Sequence, residues 1–376
     1  MKKIILIILI ALLGFGIFYF FYLRGEDGLK NETQNTDLPG SSEAKNNTSN
    51  TVAGKNEPLR YKKLADDVFS YFLREDGVYE IKNDGKIYLL QGTLEPQEIS
   101  DYRINNLYEI KTSPDNNYLL ASYRDNNDYK FPYFDVKKKI WIPLPDETIS
   151  ADLSPSSKEL AYIIERNSGN VLFVKDLIKN QTREIAKINL SEVDLKWMDT
   201  SRILFTEKES RTVASRVWVF NLKTKDLQAL NANGEKRLTM SWFDNNNFGL
   251  KFSEKDQKGV ISFINKDVAE ISVESISTLP SKCTYLGEKK MVCGVFKEIP
   301  AGVFLPDDYM KRKFYSDDDL YLWNPSMGTK SIIKTGIADQ VDFDQLSATG
   351  TKLYFINRID KALYQLDIAQ ELGPRP

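Results

Sequence analysis

Histidine is absent from the 376-residue chain, and cysteine occurs only twice. The absence of histidine excludes Ser-His-Asp and Cys-His nucleophilic schemes as they are usually built. It also removes the commonest ligand of catalytic zinc, and two cysteines cannot supply the four thiolates of an all-cysteine zinc site. Carboxylate chemistry and oxygen-ligated calcium or magnesium remain open.

An excess of basic residues is also missing. The chain has 51 Lys and Arg against 53 Asp and Glu, a formal net charge of −2. Proteins that bind nucleic acid usually carry a basic excess, so we predict no nucleic-acid partner. Hydrophobic residues make up 41% of the chain and aromatic residues 12%, which is ample for a large core.

The longest apolar run stands at the start of the chain. Ile4–Leu23 contains 20 uncharged, mostly apolar residues, and a helix of that length spans roughly 30 Å, the thickness of a bilayer's hydrocarbon core. The alternative is a cleaved signal peptide, but signal sequences have shorter apolar regions and end in small residues. We therefore predict one N-terminal transmembrane helix in residues 1–24 as an uncleaved anchor. Lys2 and Lys3 favour a cytoplasmic N-terminus and an extracytoplasmic location for the rest.

Residues 25–59 are rich in Asn, Ser, Thr, Gly and Glu and contain few apolar side chains. Such a segment cannot bury enough surface to offset its ordering entropy, so we predict a disordered linker. A random coil of about 35 residues reaches roughly 30–35 Å. The folded domain is then expected over residues 60–371, with a short tail at 372–376.

Two similar phrases reveal an internal repeat. "SPDNNYLLASYRD" covers Ser113–Asp125, and "SPSSKELAYIIER" covers Ser154–Arg166, 41 residues later. In each, a short polar turn lies between two apolar strands. Related turns follow further along, at Met198–Ser201, Phe243–Asn246, Gly287–Lys290 and Ser347–Gly350. Turn-forming residues in this pattern predict recurrent β-hairpins.

A later strand in each repeat gives an independent count of the repeats. It ends at, or just before, an Asp or Asn, whose side chain we expect to cap the following turn. These residues are Asp84, Asp135, Asp176, Asn221, Asn265, Asn324 and Asp367. Repeats of about 40–50 residues with four short strands are typical of β-propeller blades.

The repeat therefore predicts an all-β fold, a β-propeller with seven four-stranded blades. Six blades is the second possibility, and two separate β domains the third. A segment near Leu59–Leu64 is expected to pair with the last blade and close the ring, which would remove exposed sheet edges. Trp197, Trp242 and Trp323 recur in strands and are expected in the blade core.

The pattern resembles the WD40-like and TolB-type propeller repeats over about residues 60–370. The first hairpin of those repeats often carries an S-P-D-G phrase. In this chain one copy reads Ser-Pro-Asp, none has the following Gly, and no G-H or W-D pair occurs. The resemblance implies an architecture rather than an activity.

Two long connections between second and third strands are predicted to lie on one face of the propeller. They are Arg124–Tyr133 and Phe296–Asp319, and both carry aromatic residues. A face with long aromatic loops often binds a partner, although such a loop can also simply fold over a blade edge. The candidate ligand contacts are Tyr129, Phe131, Tyr133, Phe304, Asp307, Tyr309 and Tyr315. The run Ser316–Leu320, "SDDDL", lacks EF-hand spacing, so we predict no metal site and no cofactor.

Cys283 and Cys293 lie on the two strands of one predicted hairpin. With the turn at Gly287–Lys290, Thr284 faces Cys293, and Cys283 is one step from direct opposition. A bulge or a shifted turn would bring the cysteines into register, and neighbouring strands can meet the distance that a disulfide needs. We predict a disulfide, which an extracytoplasmic location permits. Two buried free thiols are the alternative.

These observations predict a non-catalytic, membrane-tethered extracytoplasmic propeller that binds a protein or a cell-envelope glycan. The alternative is an envelope enzyme, a glycan hydrolase or lyase with two carboxylates about 5–10 Å apart. A third possibility is a regulatory propeller derived from a peptidase-like ancestor, without a G-x-S-x-G motif.

Overall fold

A computed structural model of the chain describes residues 61–372, apart from 93, 127, 168, 209–212, 244, 288–289, 326 and 338. The predicted anchor, the predicted linker and nearly all of the predicted tail lie outside these residues. Within the described part of the chain, no helix has the length and apolar character needed to cross a membrane.

The described residues form seven antiparallel sheets, each with four principal strands, which follow one another in sequence order in blades 1 to 6. Blade 1 contains β2 (Val68–Arg74), β3 (Gly77–Lys82), β4 (Ile87–Leu90) and β5 (Gln97–Ser100). Blade 2 contains β6 (Leu107–Thr112), β7 (Tyr118–Asp125), β9 (Pro132–Asp135) and β10 (Ile140–Pro143), with the short β8 (Asp128–Lys130) beside β7. Blade 3 contains β11 (Thr148–Leu153), β12 (Glu159–Ile164), β13 (Asn170–Asp176) and β14 (Gln181–Ile188).

The remaining blades follow the same order. Blade 4 contains β15 (Val193–Trp197), β16 (Arg202–Glu207), β17 (Val217–Asn221) and β18 (Leu227–Ala229). Blade 5 contains β19 (Thr239–Phe243), β20 (Phe248–Lys255), β21 (Lys258–Asn265) and β22 (Glu270–Glu274). Blade 6 contains β23 (Cys283–Gly287), β24 (Lys290–Phe296), β25 (Asp318–Asn324) and β26 (Thr329–Ile332). A 3-10 turn (Pro280–Lys282) precedes β23, and two one-turn helices are α1 (Asp307–Met310) and α2 (Ala369–Leu372).

Blade 7 joins the two ends of the domain. It contains β27 (Phe343–Thr349), β28 (Lys352–Asn357), β29 (Ala362–Asp367) and, as its outer strand, β1 (Tyr61–Ala65). β1 pairs antiparallel with β29, with Tyr61 opposite Leu366. This pairing confirms the expected closure of the ring by a segment near Leu59–Leu64 and satisfies an edge that would otherwise be exposed.

Apolar side chains fill all seven blade interfaces. Each of seven buried clusters contains residues from two neighbouring blades, and one of them joins Val68 and Tyr71 of blade 1 to Tyr354 and Leu363 of blade 7. The predicted seven-bladed propeller is therefore confirmed. Trp197 and Trp323 are buried in this core, and Trp242 is half-buried against it.

The repeated phrases fold alike. Ser113 Oγ accepts a hydrogen bond from the Tyr118 amide at 3.0 Å, and Ser154 Oγ accepts one from the Glu159 amide at 3.1 Å. Asn116 and Ser157 take left-handed backbone conformations, with φ of 52° and 58°. Asn tolerates this region, which explains how the first turn forms without the glycine of an S-P-D-G phrase.

The Asp and Asn residues at the third-strand ends cap the next turn, as expected. Asp176 Oδ1 accepts hydrogen bonds from the amides of Ile178 (2.9 Å) and Lys179 (2.8 Å). The side chains of Asp135, Asn221 and Asn265 do the same in their own blades. Each cap uses backbone donors that the sheet leaves free.

The predicted disulfide joins Cys283 and Cys293, whose Cα atoms are 4.1 Å apart. The two residues are directly opposite in the β23–β24 ladder. The register shifts between Tyr285 and Gly287, which places a bulge in this hairpin. A bulge in this hairpin is one of the two adjustments that were expected to bring the cysteines into register.

Candidate functional site

The connection between β24 and β25 forms a folded insertion on blade 6. It contains α1 and its own buried apolar cluster, and Leu305–Pro306 is a cis peptide. Phe296, Leu305 and Phe314 pack together with Phe252 of blade 5. Because the insertion has its own core on the propeller, it forms a fixed surface.

A buried lysine holds the base of this insertion. Lys282 is 0% exposed, and its Nζ lies 2.7 Å from Asp318 Oδ2 and 2.6 Å from Asp342 Oδ1. The same ammonium donates to the hydroxyls of Tyr309 and Ser316, each at 3.0 Å. We call these five residues the Lys282 network. It links blade 6, the insertion and blade 7.

Arg358 of blade 7 extends the network. Its Nη1 lies 3.4 Å from Asp342 Oδ2, and its Nη2 donates to the Tyr309 carbonyl at 2.8 Å. The guanidinium carbon lies 3.7 Å from the centre of the Tyr309 ring and 5.2 Å from that of Tyr315. Two cations therefore stand against the two buried carboxylates of Asp318 and Asp342.

Burial controls the electrostatics of the network. It raises the pKa of the Asp318 carboxyl, and the charge and hydrogen bond of Lys282 oppose that shift. Burial also raises the pKa of Tyr309 well above its ordinary value, assisted by the charges of Asp344 and Asp342. Ser316 is a poor candidate nucleophile, because the Lys282 Nζ beside it is already engaged by Asp318, Asp342 and the Tyr309 hydroxyl.

An open cleft of about 440 Å³ lies over the network, between the insertion and blade 7. Its lining residues are Glu298, Pro300, Phe314, Tyr315, Ser316, Asp317, Gln340 and Ile359. Tyr315 is 46% exposed and Ile359 is 44% exposed, so two large side chains are open to a ligand. We call this site the insertion cleft. Its volume lies within the range of roughly 300–1,000 Å³ typical of ligand pockets.

The insertion contains four of the predicted ligand contacts, and their surroundings differ from one residue to the next. Tyr315 lines the cleft. Phe304 is half-buried with Arg237 5.1 Å from its ring centre, and Asp307 pairs with Lys311 at 3.1 Å. Tyr309 is 3% exposed, so it supports the surface from below rather than contributing to it.

The other three predicted contacts lie in blade 2. Tyr129 is half-buried on β8, and Phe131 packs partly buried against the core between blades 2 and 3. Tyr133 is 3% exposed and belongs to that core. The expectation that both long loops contact a ligand stays a prediction.

The aspartates of "SDDDL" have lysine partners. Asp317 Oδ1 lies 2.9 Å from Lys297 Nζ, and Asp319 Oδ1 lies 3.8 Å from the same atom. Asp318 belongs to the Lys282 network. Among the described residues, no group of three or more acidic or cysteine side chains is arranged to hold a metal ion.

Several residues of the site were missed in the sequence. Lys282, Asp342 and Arg358 come from three separate chain segments, and Gln340 and Ile359 reach the cleft from blade 7. A lysine directly before a strand cysteine carries no local signal of burial. Only the packing of blade 6 against blade 7 brings these residues together.

Comparison with known proteins shows similarity at the level of the fold. No protein-family profile and no curated protein sequence matches the chain. An oligogalacturonate lyase from Vibrio parahaemolyticus superposes with a TM-score of 0.56 at 13% identity, covering 83% of this chain and 94% of that one. The C-terminal WD40 domain of Sif2 gives 0.51 at 15% identity, covering 84% and 86%.

Tricorn protease gives a TM-score of 0.52 at 9% identity, covering 86% of this chain. This chain spans only 35% of the tricorn protease chain. The resemblance to WD40-like propellers is thus confirmed for the fold. At such low identities, the mixture of enzymes and a WD40 domain assigns no activity.

Proposed function

We propose that this chain is a non-catalytic propeller, held at the outer side of a cell membrane by residues 4–23, which binds a protein or a cell-envelope glycan. The insertion cleft is the proposed binding site. The observation that carries the proposal is the Lys282 network, which fixes an exposed surface beside blade 7. A binding loop on a rigid base loses little conformational freedom when its ligand arrives.

The chemistry of the cleft suits a macromolecular ligand. Tyr315 and Ile359 offer exposed apolar surface, while Glu298, Asp317 and Gln340 offer hydrogen-bond acceptors and a donor. Aromatic residues surrounded by polar groups are typical of protein interfaces. Hydroxyl-rich sugars can use the same acceptors.

The extracytoplasmic location is supported by the disulfide, because disulfides persist in oxidising compartments and are rare in the cytosol. Protease treatment of intact cells, or of spheroplasts where a wall limits access, tests this location together with the anchor. We expect residues 61–372 to be digested from outside. Protection of the propeller until the membrane is lysed would contradict the proposed topology.

Site-specific crosslinking tests the cleft. A photoreactive amino acid replaces Ile359 in the full-length, membrane-bound chain, and a second version carries it at Lys223, in a turn on the opposite face. We expect one defined envelope component to be crosslinked from position 359 only. Addition of Tyr315→Ala and Glu298→Ala to the first version should reduce the yield at least fivefold.

A matched substitution controls for general loss of aromatic surface. Tyr102→Ala removes a 56% exposed tyrosine outside the cleft and should leave the crosslink unchanged. Equal crosslinking from both faces, or a yield that is insensitive to the cleft substitutions, would contradict the proposal.

An envelope enzyme is the second candidate, and Asp344 is the residue that favours it. Asp344 lies on β27, the inner strand of blade 7, and burial raises the pKa of its carboxyl against the charges of Arg358 and Lys282. A general acid needs such a raised pKa. Release of reducing ends from oligosaccharides by the wild type, abolished in Asp344→Asn, would establish this second function in place of the first.

A further inference from the structure

A second group of aromatic and basic side chains lies on the propeller at blades 2 to 4. The Tyr129 ring of β8 has the Arg124 guanidinium 5.8 Å from its centre and the Lys208 ammonium 5.5 Å from it. The Tyr108 ring of β6 packs edge-to-face against Tyr129, with centroids 5.4 Å apart. We call these four residues the Tyr129 patch. Lys208 comes from the β16–β17 connection, so the patch bridges non-adjacent blades.

Among the described residues, neither cation of the patch has an acidic partner within ion-pair distance. Neighbouring basic residues have acidic partners: Lys130 pairs with Asp146 at 3.0 Å, and Arg216 pairs with Glu207 at 2.8 Å. Arg124 and Lys208 are exposed, and neither makes an ion pair with any residue that the structure describes. Both cations are exposed next to an aromatic surface.

We propose that the Tyr129 patch binds a polysaccharide that carries carboxylate groups. The planar guanidinium of Arg124 and the ammonium of Lys208 both bind carboxylates through charge-assisted hydrogen bonds. Tyr108 is 59% exposed and offers an amphipathic ring against which a sugar can pack. This inference does not depend on the insertion cleft, which lies at blades 6 and 7.

The strand arrangement favours a glycan over an acidic peptide. Extended peptides commonly bind by adding a strand to an open sheet edge. β8 pairs with β7 and contains only three residues, so it offers a short edge for strand addition, and the aromatic and basic side chains form most of the patch. A sugar polymer needs only side-chain contacts.

The test measures binding of alginate oligosaccharides, whose uronic acids carry carboxylates, to the full-length protein in nanodiscs. We expect saturable binding that weakens as salt rises, because the exposed charges are screened. Neutral dextran oligosaccharides of the same length should not bind. Arg124→Gln combined with Lys208→Gln should weaken alginate binding at least tenfold, which corresponds to about 1.4 kcal/mol.

The matched control removes two exposed lysines from turns on the opposite face. Lys179→Gln with Lys223→Gln changes the net charge equally and should leave alginate affinity within twofold of the wild type. An Arg124/Lys208 variant that binds as well as the wild type would overturn the site. Tighter binding of poly-glutamate or of polyphosphate than of alginate would overturn the assignment to a carboxylated glycan.

Discussion

Lys282 shows how a single buried charge can hold a long insertion in place. Transfer of an ammonium group and two carboxylates out of water is costly, and this cost is offset only when the geometry is good and the remaining hydrogen bonds are made. The Lys282 ammonium meets both conditions through Asp318, Asp342 and two hydroxyls, whereas Asp318 Oδ1 is buried without a hydrogen-bond partner among the described residues. We infer that the ion pairs specify where the insertion lies more than they add net stability.

Lys282→Met is expected to destabilise the protein by about 3–5 kcal/mol, because Asp318 is left buried without a cation and Asp342 keeps only Arg358. The free energy of unfolding in urea measures the effect. Lys297→Met is the matched control: Lys297 pairs with Asp317 at the surface, where an ion pair contributes about 0–1 kcal/mol. Similar losses for the two variants would show that Lys282 is not the centre of a buried network.

Glu270 allows the contribution of a single ionised carboxylate to stability to be tested through its dependence on pH. Burial raises the pKa of its carboxyl, but the hydrogen bonds and charges of Lys255 and Lys251 outweigh burial and lower the pKa to about 2. Because the folded pKa lies below the ordinary value of 4.5, the stabilisation is fully present above about pH 4.5 and is lost as the pH falls toward 2.

The wild type should therefore exceed Glu270→Gln in stability at pH 7, and the difference should shrink between pH 4.5 and 2.5. Urea midpoints across this range measure it. A difference that is constant with pH would mean that the ionised carboxylate contributes nothing specific.

Charged residues of the site could not be identified from their local sequence. Asp318 stands in a run of three aspartates that suggests a solvated loop. Asp317 and Asp319 do lie near the surface residue Lys297, but Asp318 is buried beside Lys282. Asp342 lies 60 residues from Lys282 along the chain. Burial of a charge is decided by distant packing, which no local pattern records.

At the scale of strands and turns, the sequence predicted more of the structure than it did for the charged residues of the site. Polar turns between apolar strands specify local hairpins, and the Asp or Asn caps depend on hydrogen bonds within a few residues. The seven blades therefore follow from the repeat. β8 and α1 were not anticipated, because both lie in the long connections and are stabilised by contacts with neighbouring blades.

The disulfide makes the hairpin β23–β24 a testable element. Replacement of both Cys283 and Cys293 by Ala should reduce the free energy of unfolding by about 3 kcal/mol, from the greater freedom of the unfolded chain around a short loop. Loss of packing adds to this, because both residues are buried. Chemical denaturation with and without reductant measures the contribution, and the Ala variant should show no response to reductant.

A reductant effect that persists in the double variant would have to arise outside this hairpin and would contradict the assignment. A loss below about 0.5 kcal/mol would also do so. The hairpin leads directly into the insertion, so the same variants can be used in the crosslinking experiment to ask whether this link positions the cleft.

At the scale of the whole molecule, the ring is closed by a strand from the beginning of the chain. β1 supplies the outer strand of blade 7, and Tyr61 and Leu64 pack against buried residues of the closing blades. The fold therefore depends on pairing between residues 61–65 and 362–367, which lie at opposite ends of the described chain. The sequence indicated this closing segment near Leu59–Leu64, and the segment pairs with β29 as β1.

A chain that starts at residue 66 should consequently be less stable than one that starts at residue 61. The loss is expected to be roughly 2–4 kcal/mol, from two half-buried side chains and the β1–β29 hydrogen bonds. The newly exposed edge of β29 should also promote self-association, because unpaired strand edges recruit other strands. Thermal denaturation and light scattering at several protein concentrations measure the two effects.

Lys62→Ala in the longer chain separates strand pairing from surface charge, since Lys62 is exposed within β1. This variant should keep the stability of its parent and stay monomeric at the concentrations at which the shorter chain associates. If the two chain lengths unfold at the same temperature, the β1–β29 pairing contributes little. The ring would then be held by the apolar contact between blades 7 and 1, in which Tyr71 and Leu363 take part, rather than by the strand that completes blade 7.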